Sequence, residues 1–309
     1  MIKSKNKYMK IFDCFMFYDE ELLLDIRMNI LNEFVDYFVI VESKYFHNGK
    51  ERDLRFDISK YSSFKNKIVY IIQDEKPKGI QVINSFDNEG TESDKKILNA
   101  HLQEHSQRNL IQNGLNKSDD NDIILISDVD EIPNLEKINI KNIKNKIILF
   151  EQNIFYYKLN RYLPDFKWYG TKACKKKHLK NPQWLRNIKN KDYPFFRIDT
   201  FFSKLKYIDK YFVKDGGWHF SNLKNFKDIE IKLKSYLHHR DYEVEELGIN
   251  KIKKLIEENK TIYNMYADKT VKKYGDNSRM NLEKFEISKL PSYIQNNLEK
   301  FKSWIDKRK

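Results

Sequence analysis

Cysteine is scarce: the 309-residue chain carries two, Cys14 and Cys174. That excludes a disulfide framework and a cysteine-based zinc site, and leaves a buried thiol and an incidental one. Glycine (9) and proline (6) are also few, and no Gly/Ser-rich linker or internal repeat divides the chain. No apolar run reaches the roughly 18 residues a membrane helix needs. The opening "MIKSKNKYMKIFDCFMFYDEE" is basic and then apolar. Its apolar run is short, holds Asp13 and leads into acids with no small-residue cleavage site, so it does not read as a signal peptide. These absences predict a cytoplasmic protein, compatible with peripheral attachment to a membrane.

Acids are outnumbered, 45 against 58 Lys and Arg, for a net charge of +13. Such a balance suits nucleic acid, acidic lipid or a phosphate-bearing substrate. The lysines are spread along the chain, though, with only short clusters such as "KACKKKHLK" (172 to 180). A Lys-, Asn- and Ile-heavy composition accounts for the charge without a specific nucleic acid partner, and no nucleic-acid-binding module is recognised. A hydrophobic fraction of 40% with 14% aromatics indicates a globular protein.

The first part of the chain alternates strand and helix signals. "KIFDCFMF" (10 to 17), "DYFVIVES" (36 to 43), "KIVYIIQD" (67 to 74) and "DIILIS" (122 to 127) read as strands. "DEELLLDIRMNILNEF" (19 to 34) reads as an amphipathic helix, and so does 93 to 115, with Ser93 as its N-cap. This order predicts an α/β protein with a mostly parallel, Rossmann-like sheet flanked by helices. Residues 146 to 160 read as β-rich, 161 to 222 as irregular and aromatic, and the stretch from about 224 as helical. The expected division is a catalytic domain over 8–222, split near 133, with a helical C-terminal region over 223–309 packed on it.

"DIILISDVDEIP" (122 to 133) ends a buried strand in Asp128, Asp130 and Glu131. Ligands of open α/β sheets bind beyond the carboxyl ends of the strands. Close carboxylates repel one another, and a hard divalent cation relieves that; oxygen ligands suit Mg²⁺ or Mn²⁺. In an extended chain Asp128 and Asp130 project to one side, so both can serve one ion and its phosphates. A turn acid before Pro133 is the plain alternative. Two enzyme classes use such a strand end. One is the Asp-nucleophile, haloacid-dehalogenase-like phosphatase, in which Asp128 would be the nucleophile; Ile132 and the late position of the motif speak against it. The other is the nucleotide-sugar transferase. A basic nucleic-acid-binding protein without activity is the non-enzymatic reading.

"IFDCFMFYDEELLLDIRMNIL", "VDYFVIVESKYFHNG", "HSQRNLI", "DIILISDVDEIP" and "DGGWHFS" follow one another in that order. Together they resemble glycosyltransferase family 17, the β-1,4-mannosyl-glycoprotein β-1,4-N-acetylglucosaminyltransferases. The resemblance covers roughly residues 10 to 240. It implies a GT-A fold, a UDP-GlcNAc donor, a glycan acceptor, Mn²⁺ dependence and inversion at the anomeric carbon. A bacterial or viral enzyme acting on a surface glycan is the expected setting.

Within that resemblance Asp128 and Asp130 hold the metal and Glu131 orients a metal water or the sugar. In "DGGWHFS" (215 to 221), Gly216 and Gly217 permit close backbone approach in a loop. His219 is a third metal ligand or a diphosphate contact, and Trp218 stacks on a sugar. Inversion needs a base near the acceptor hydroxyl. Asp215 is the first choice, with Glu151 and Glu131 as the others. Glu42 is expected at the uridine or ribose. Arg27, Gln107 and Arg108 are expected near the nucleotide, with ion pairing as the alternative role of the arginines. The aromatic stretch 155 to 171 suits an acceptor sugar, with Trp168 and Tyr157 as contacts. "HHRDY" (238 to 242) reads as a solvated helix end or a flank of the site.

Overall fold

The computed structural model describes residues 8–237, 239–244, 246–263, 265 and 279–307. The apolar runs of the first half become parallel strands. β1 (Ile11–Phe17) lies between β2 (Tyr37–Ser43) and β4 (Ile123–Asp128), and β3 (Ile68–Gln73) extends the edge beyond β2. β1, β2 and β4 are buried along almost their whole length, because both faces of the sheet are covered. Helix α1 (Glu21–Leu31) packs on one face with Phe15, Phe38 and Leu125. α2 (Glu89–Asn109) runs into a tight 3-10 turn over 110–115. That turn and the later helix α3 (Pro182–Asn187) pack on the other face with Phe12, Val39 and Ile126.

The second half adds mixed strands. β5 (Glu131–Pro133) follows β4 after a two-residue turn. β6 (Ile147–Tyr156) pairs antiparallel with β7 (Arg161–Trp168) and with β8 (Lys172–Lys175), and β8 joins it to β4. α4 (Asp199–Phe202) sits in the loop before β9 (Lys210–Ser221). β9 runs parallel to β6 and antiparallel to β5. The whole is a mixed α/β sheet in which parallel ladders hold most of the paired residues.

After β9 come α5 (Phe226–Ser235), α6 (His239–Val244) and α7 (Gly248–Glu257), then β10 (Glu283–Lys284) and α8 (Ser292–Gln295). Ile229, Leu233, Ile252 and Leu255 share a core with Ile154, Tyr156 and Leu163 of β6 and β7. Leu290, Ile294, Phe301 and Ile305 join the core under α1. Among the described residues no helix is long and apolar enough to cross a membrane.

Several local expectations change. The second helix starts earlier than read, with Asn88 rather than Ser93 as its cap; the Asn88 side chain accepts from Thr91 N at 2.9 Å. Residues 161–222 are not irregular, since β7, β8, α3, α4 and β9 fall there. Their apolar signal is weak because buried positions in β8 and β9 are filled by lysines, Lys172 and Lys210. The C-terminal stretch 290–306 is mostly turns around the short α8. Both cysteines are free and buried, Cys14 in β1 and Cys174 in β8. His238 and residues 1–7 lie outside the described residues.

Candidate active site

A cavity of about 400 Å³ opens at the carboxyl ends of β1, β2 and β4. Its wall includes Tyr18, Glu20, Ser43 and Tyr45 from the ends of β1 and β2, and Asp128 to Glu131 from β4. Glu104 and Gln107 come from α2, Arg186 from α3, His219 and Ser221 from β9, and Lys232 from α5. Aromatic rings from Tyr18, Tyr45, Tyr156, Trp168 and Tyr236 supply apolar surface. This mixture of apolar wall and a few converging charges is the usual composition of a ligand site.

The turn that carries the acids is fixed from below. Asp13, in the middle of β1, is buried and paired with Arg27 of α1 at 2.6 Å and 2.8 Å. The same guanidinium donates to Ser127 Oγ and to the carbonyls of Asp128, Val129 and Glu131. All its donors are thus committed to protein atoms. Arg27 therefore shapes the turn and does not face the cavity, which corrects its expected place at the nucleotide.

Asp128 accepts from Arg108 Nη2 at 3.0 Å on one oxygen and from Arg186 Nη2 at 2.9 Å on the other. Burial pushes its pKa up, but Arg186 and then Arg108 outweigh this and hold it well below the usual carboxylate range. Arg108 also pairs with Glu104 at 2.8 Å and donates to Gln183. Burial raises the Glu104 carboxyl, and Arg108 more than reverses that. The ion-pair alternative for Arg108 is the one the geometry displays. Gln107 lines the cavity while its amide donates to Val41 O at 3.1 Å.

Glu131 is 1% exposed and fully engaged. One oxygen accepts from Asp128 N at 2.8 Å and Arg186 Nη1 at 2.8 Å. The other accepts from Trp168 Nε1 at 2.6 Å and Arg186 Nη2 at 3.1 Å. Gly170 makes room for it, since a Cβ there would lie 2.2 Å from the Glu131 carboxyl carbon. An acid with four donors on it is a brace, not a base. Trp168 lines the cavity, but its N–H serves Glu131 and one face lies against His219, centroids 5.3 Å apart.

Asp130 is held differently. Its Oδ2 lies 3.5 Å from His219 Nε2 and 3.9 Å from Lys232 Nζ. Burial raises the Asp130 carboxyl, and His219 beside it brings the pKa below its ordinary value. For His219, burial works against the charge, and Asp130 outweighs it, so the pKa is raised. Burial also lowers the Lys232 pKa, and Asp130 again reverses the sign. His219 Nδ1 is buried and has no hydrogen-bond partner among the described residues.

The "DGGWHFS" segment is not a loop: it is the end of β9. His219 stands opposite Glu131, Trp218 opposite Ile132 and Gly217 opposite Pro133. Strand alternation turns His219 to the cavity and Trp218 into the core under α1, so Trp218 does not meet a sugar. The two glycines answer to the protein's own backbone. Gly217 has φ +142°, and a Cβ there would lie 2.1 Å from Ile132 O; one on Gly216 would lie 2.6 Å from Val213 O. Gly216 lies within the register shift of β9 against β6, beside Asp215 at φ +47°, and Gly217 resumes the pairing opposite Gln152; neither glycine lines the cavity.

Other expected contacts fall elsewhere. Asp215 is 65% exposed and pairs with Lys137 at 3.6 Å, away from the cavity wall. Glu151 accepts from Tyr169 Oη and Lys214 Nζ, both at 2.8 Å, and is also off the wall. Glu42 is buried under four donors: Arg52 Nη2, Arg55 N, Phe56 N and Tyr70 Oη. It fastens the 52–56 segment rather than a ribose. Tyr157 turns away with φ +62° and donates to Lys260 O at 2.9 Å; its neighbour Tyr156 lines the cavity instead. In the helical stretch, Arg240 pairs with Glu243 at 3.3 Å and is not on the wall.

Sequence reasoning does not find Arg186, Lys232, Glu104, His47 or Glu20. Arg186 has a legible helix start before it, Asn181 capping with Pro182 next, but its targets lie in a distant segment. Lys172, in the basic cluster, is buried and donates to the carbonyls of Arg186 and Ile188. Burial and then Arg186 push its pKa down to about 7. That lysine anchors the end of α3 and is not part of an anion-binding patch. His47 lines the cavity, its Nδ1 has no hydrogen-bond partner among the described residues, and burial lowers its pKa. Glu20 accepts from the backbone of Tyr18 and Asp19 through Oε2.

The sequence model of glycosyltransferase family 17 matches residues 2–306. No curated protein matches. Among solved structures, HddC from Yersinia pseudotuberculosis is 10% identical, with 67% of this chain and 91% of that chain covered and a TM-score of 0.30. HddC complexed with GMP-PN is 9% identical over the same shares, with a TM-score of 0.29. Those two likenesses are too slight to carry an argument about this chain.

Proposed function

We propose, from the premise that this chain belongs to glycosyltransferase family 17 and is a glycosyltransferase, that it transfers GlcNAc from UDP-GlcNAc to a glycan acceptor, inverting the anomeric carbon with the help of Mn²⁺ or Mg²⁺. The GT-A-like reading of the fold, the donor and the stereochemistry rest on the family resemblance. The observation that carries the site is the Asp130–His219 pair, 3.5 Å apart at the cavity wall. Two ligands about 2.1 Å from one octahedral ion sit about 3 Å apart, so a small approach would let both grip it. The carboxylate suits either ion and the imidazole favours Mn²⁺. Diphosphate oxygens and water would complete the shell. Such an ion would stabilise the charge on the departing UDP as a Lewis acid.

The chain's own groups have separable roles in this reading. Asp128 is revised from metal ligand to anchor, because each of its oxygens already carries a guanidinium. It aims Arg108 and Arg186, and the latter lines the cavity where phosphate charge would lie. The two guanidinium charges also draw electron density from Asp128, which speaks against the nucleophile role a phosphatase would ask of it. Lys232, whose ion pair is with Asp130, can turn to the diphosphate once Asp130 holds an ion. Glu20 is the proposed base in place of Asp215. It lines the cavity, and its Oε1 is not among the atoms engaged by backbone N–H. The tyrosines of the wall present faces for sugar rings.

A thermal-shift panel of nucleotide sugars with and without Mn²⁺ tests this. Stabilisation that needs both UDP-GlcNAc and the ion is expected, since a ligand selective for the folded state raises its apparent stability. Full transfer in excess EDTA would remove the ion from the proposal, and a shift by another sugar nucleotide alone would replace the donor.

A further inference from the structure

The segment between α3 and β9 breaks the usual rule for apolar side chains. Phe195, Phe196, Ile198, Phe201 and Phe202 are 81%, 67%, 70%, 74% and 84% exposed. They crowd into one short tip of "YPFFRIDTFF" (193 to 202), where α4 forms the far side. The tip is not loose chain. Lys189 N donates to Leu205 O at 2.9 Å, Trp184 Nε1 donates to Lys204 O at 2.7 Å, and Lys210 Nζ donates to Lys189 O and Lys191 O. The base of the loop is therefore closed and tied to α3, and the apolar tip stands out from it.

Charge indicates what covers the tip. Lys189, Lys191, Arg197, Lys204 and Lys206 flank or interrupt it, against two acids, Asp192 and Asp199. Arg197 and Lys206 both pair with Asp199. Lys189, Lys191 and Lys204 are exposed at the neck. An apolar wedge above a basic collar matches the interface of an anionic bilayer, with rings in the acyl boundary and ammonium groups at the headgroups. A second copy of a +13 chain would set collar against collar.

We infer that residues 193–202 form a membrane-docking wedge that seats this protein on anionic phospholipid. The wedge begins seven residues after Arg186, on the loop that follows α3. The inference does not depend on the donor, the ion or the reaction.

Cosedimentation of the full chain with vesicles tests it. Wild type should bind phosphatidylcholine vesicles containing phosphatidylglycerol, bind pure phosphatidylcholine weakly, and come off as salt rises. Phe195→Ser, Phe196→Ser, Phe201→Ser and Phe202→Ser together should weaken binding by at least about tenfold. Lys189→Glu, Lys191→Glu and Lys204→Glu together should do likewise. The replaced side chains are exposed, so both variants should keep the wild-type denaturation midpoint, and the lysine set serves if the aromatic set misfolds. Absence of wild-type binding to anionic vesicles overturns the inference, as does unchanged binding by the variants. A wild-type dimer that the aromatic variant converts to monomer, with no lipid binding, would assign the tip to a second copy instead.

Discussion

Asp128 and Asp130 stand two residues apart at the end of one strand and are held by opposite means. Asp128 sits between two guanidinium groups at hydrogen-bond distance, within a network that also ties down Glu131 and Glu104. Asp130 has a histidine and a lysine at 3.5 Å and 3.9 Å, close enough to shift its pKa and too far for strong hydrogen bonds. Asp128 is held by two guanidinium groups, and Asp130 is held more loosely by an imidazole and an ammonium. Neighbouring acids at a strand tip can thus play different parts, because the partners brought by distant segments decide which one is left to meet a ligand.

Substitutions at either acid or its partners should pull the two apart. Asp130→Asn should lower transfer by about a thousandfold or more, the loss expected when several kcal/mol of charge stabilisation disappear, with the fold intact by circular dichroism. Turnover near wild type would put the reaction elsewhere. Arg186→Met should act on the other acid and on the fold. It leaves Glu131, 1% exposed, without its cation, and a broken buried pair costs about 3–5 kcal/mol in urea denaturation. A loss below about 1 kcal/mol would mean that Trp168 and the backbone suffice for Glu131.

His219→Gln should have a smaller effect: ion affinity should fall by at least about tenfold, read by calorimetry. Smaller still is a pH effect on the ion-free protein. The folded His219 pKa is raised above the ordinary histidine value of 6.5. Its contribution to stability is then fully present below about pH 6.5 and is lost as pH rises through the raised value. Wild type should therefore lose a little stability as pH rises above about 6.5, and His219→Gln should lose less. Asp128 has the reverse sign. Its contribution is lost only in strong acid, as pH falls below the usual carboxylate range, so it leaves no slope near neutrality.

The strands of the first half were legible because burial on both faces leaves continuous apolar runs, and "IILISD" marks its own end with acids. The site was legible only as composition. Asp128, Asp130, Glu131, Trp168 and His219 do converge on one cavity. Which acid is clamped was not readable, because the arginine that settles it, Arg186, arrives from α3 across a long stretch of chain. Gly216 and Gly217 look alike in a loop and in a bulged strand; only pairing with β5 and β6 separates the two. Arg27 and Glu42 carry the charges expected of ligand contacts, and the fold uses them to fasten its own backbone.

The most direct measurement is a paramagnetic resonance titration of Mn²⁺ into the protein with UDP present, on wild type, Asp128→Asn and Asp130→Asn. Wild type should bind the ion and quench its free signal, Asp130→Asn should leave the ion free, and Asp128→Asn should retain binding within about tenfold. Manganese left free by the wild type, or bound equally well after Asp130→Asn, would contradict the account.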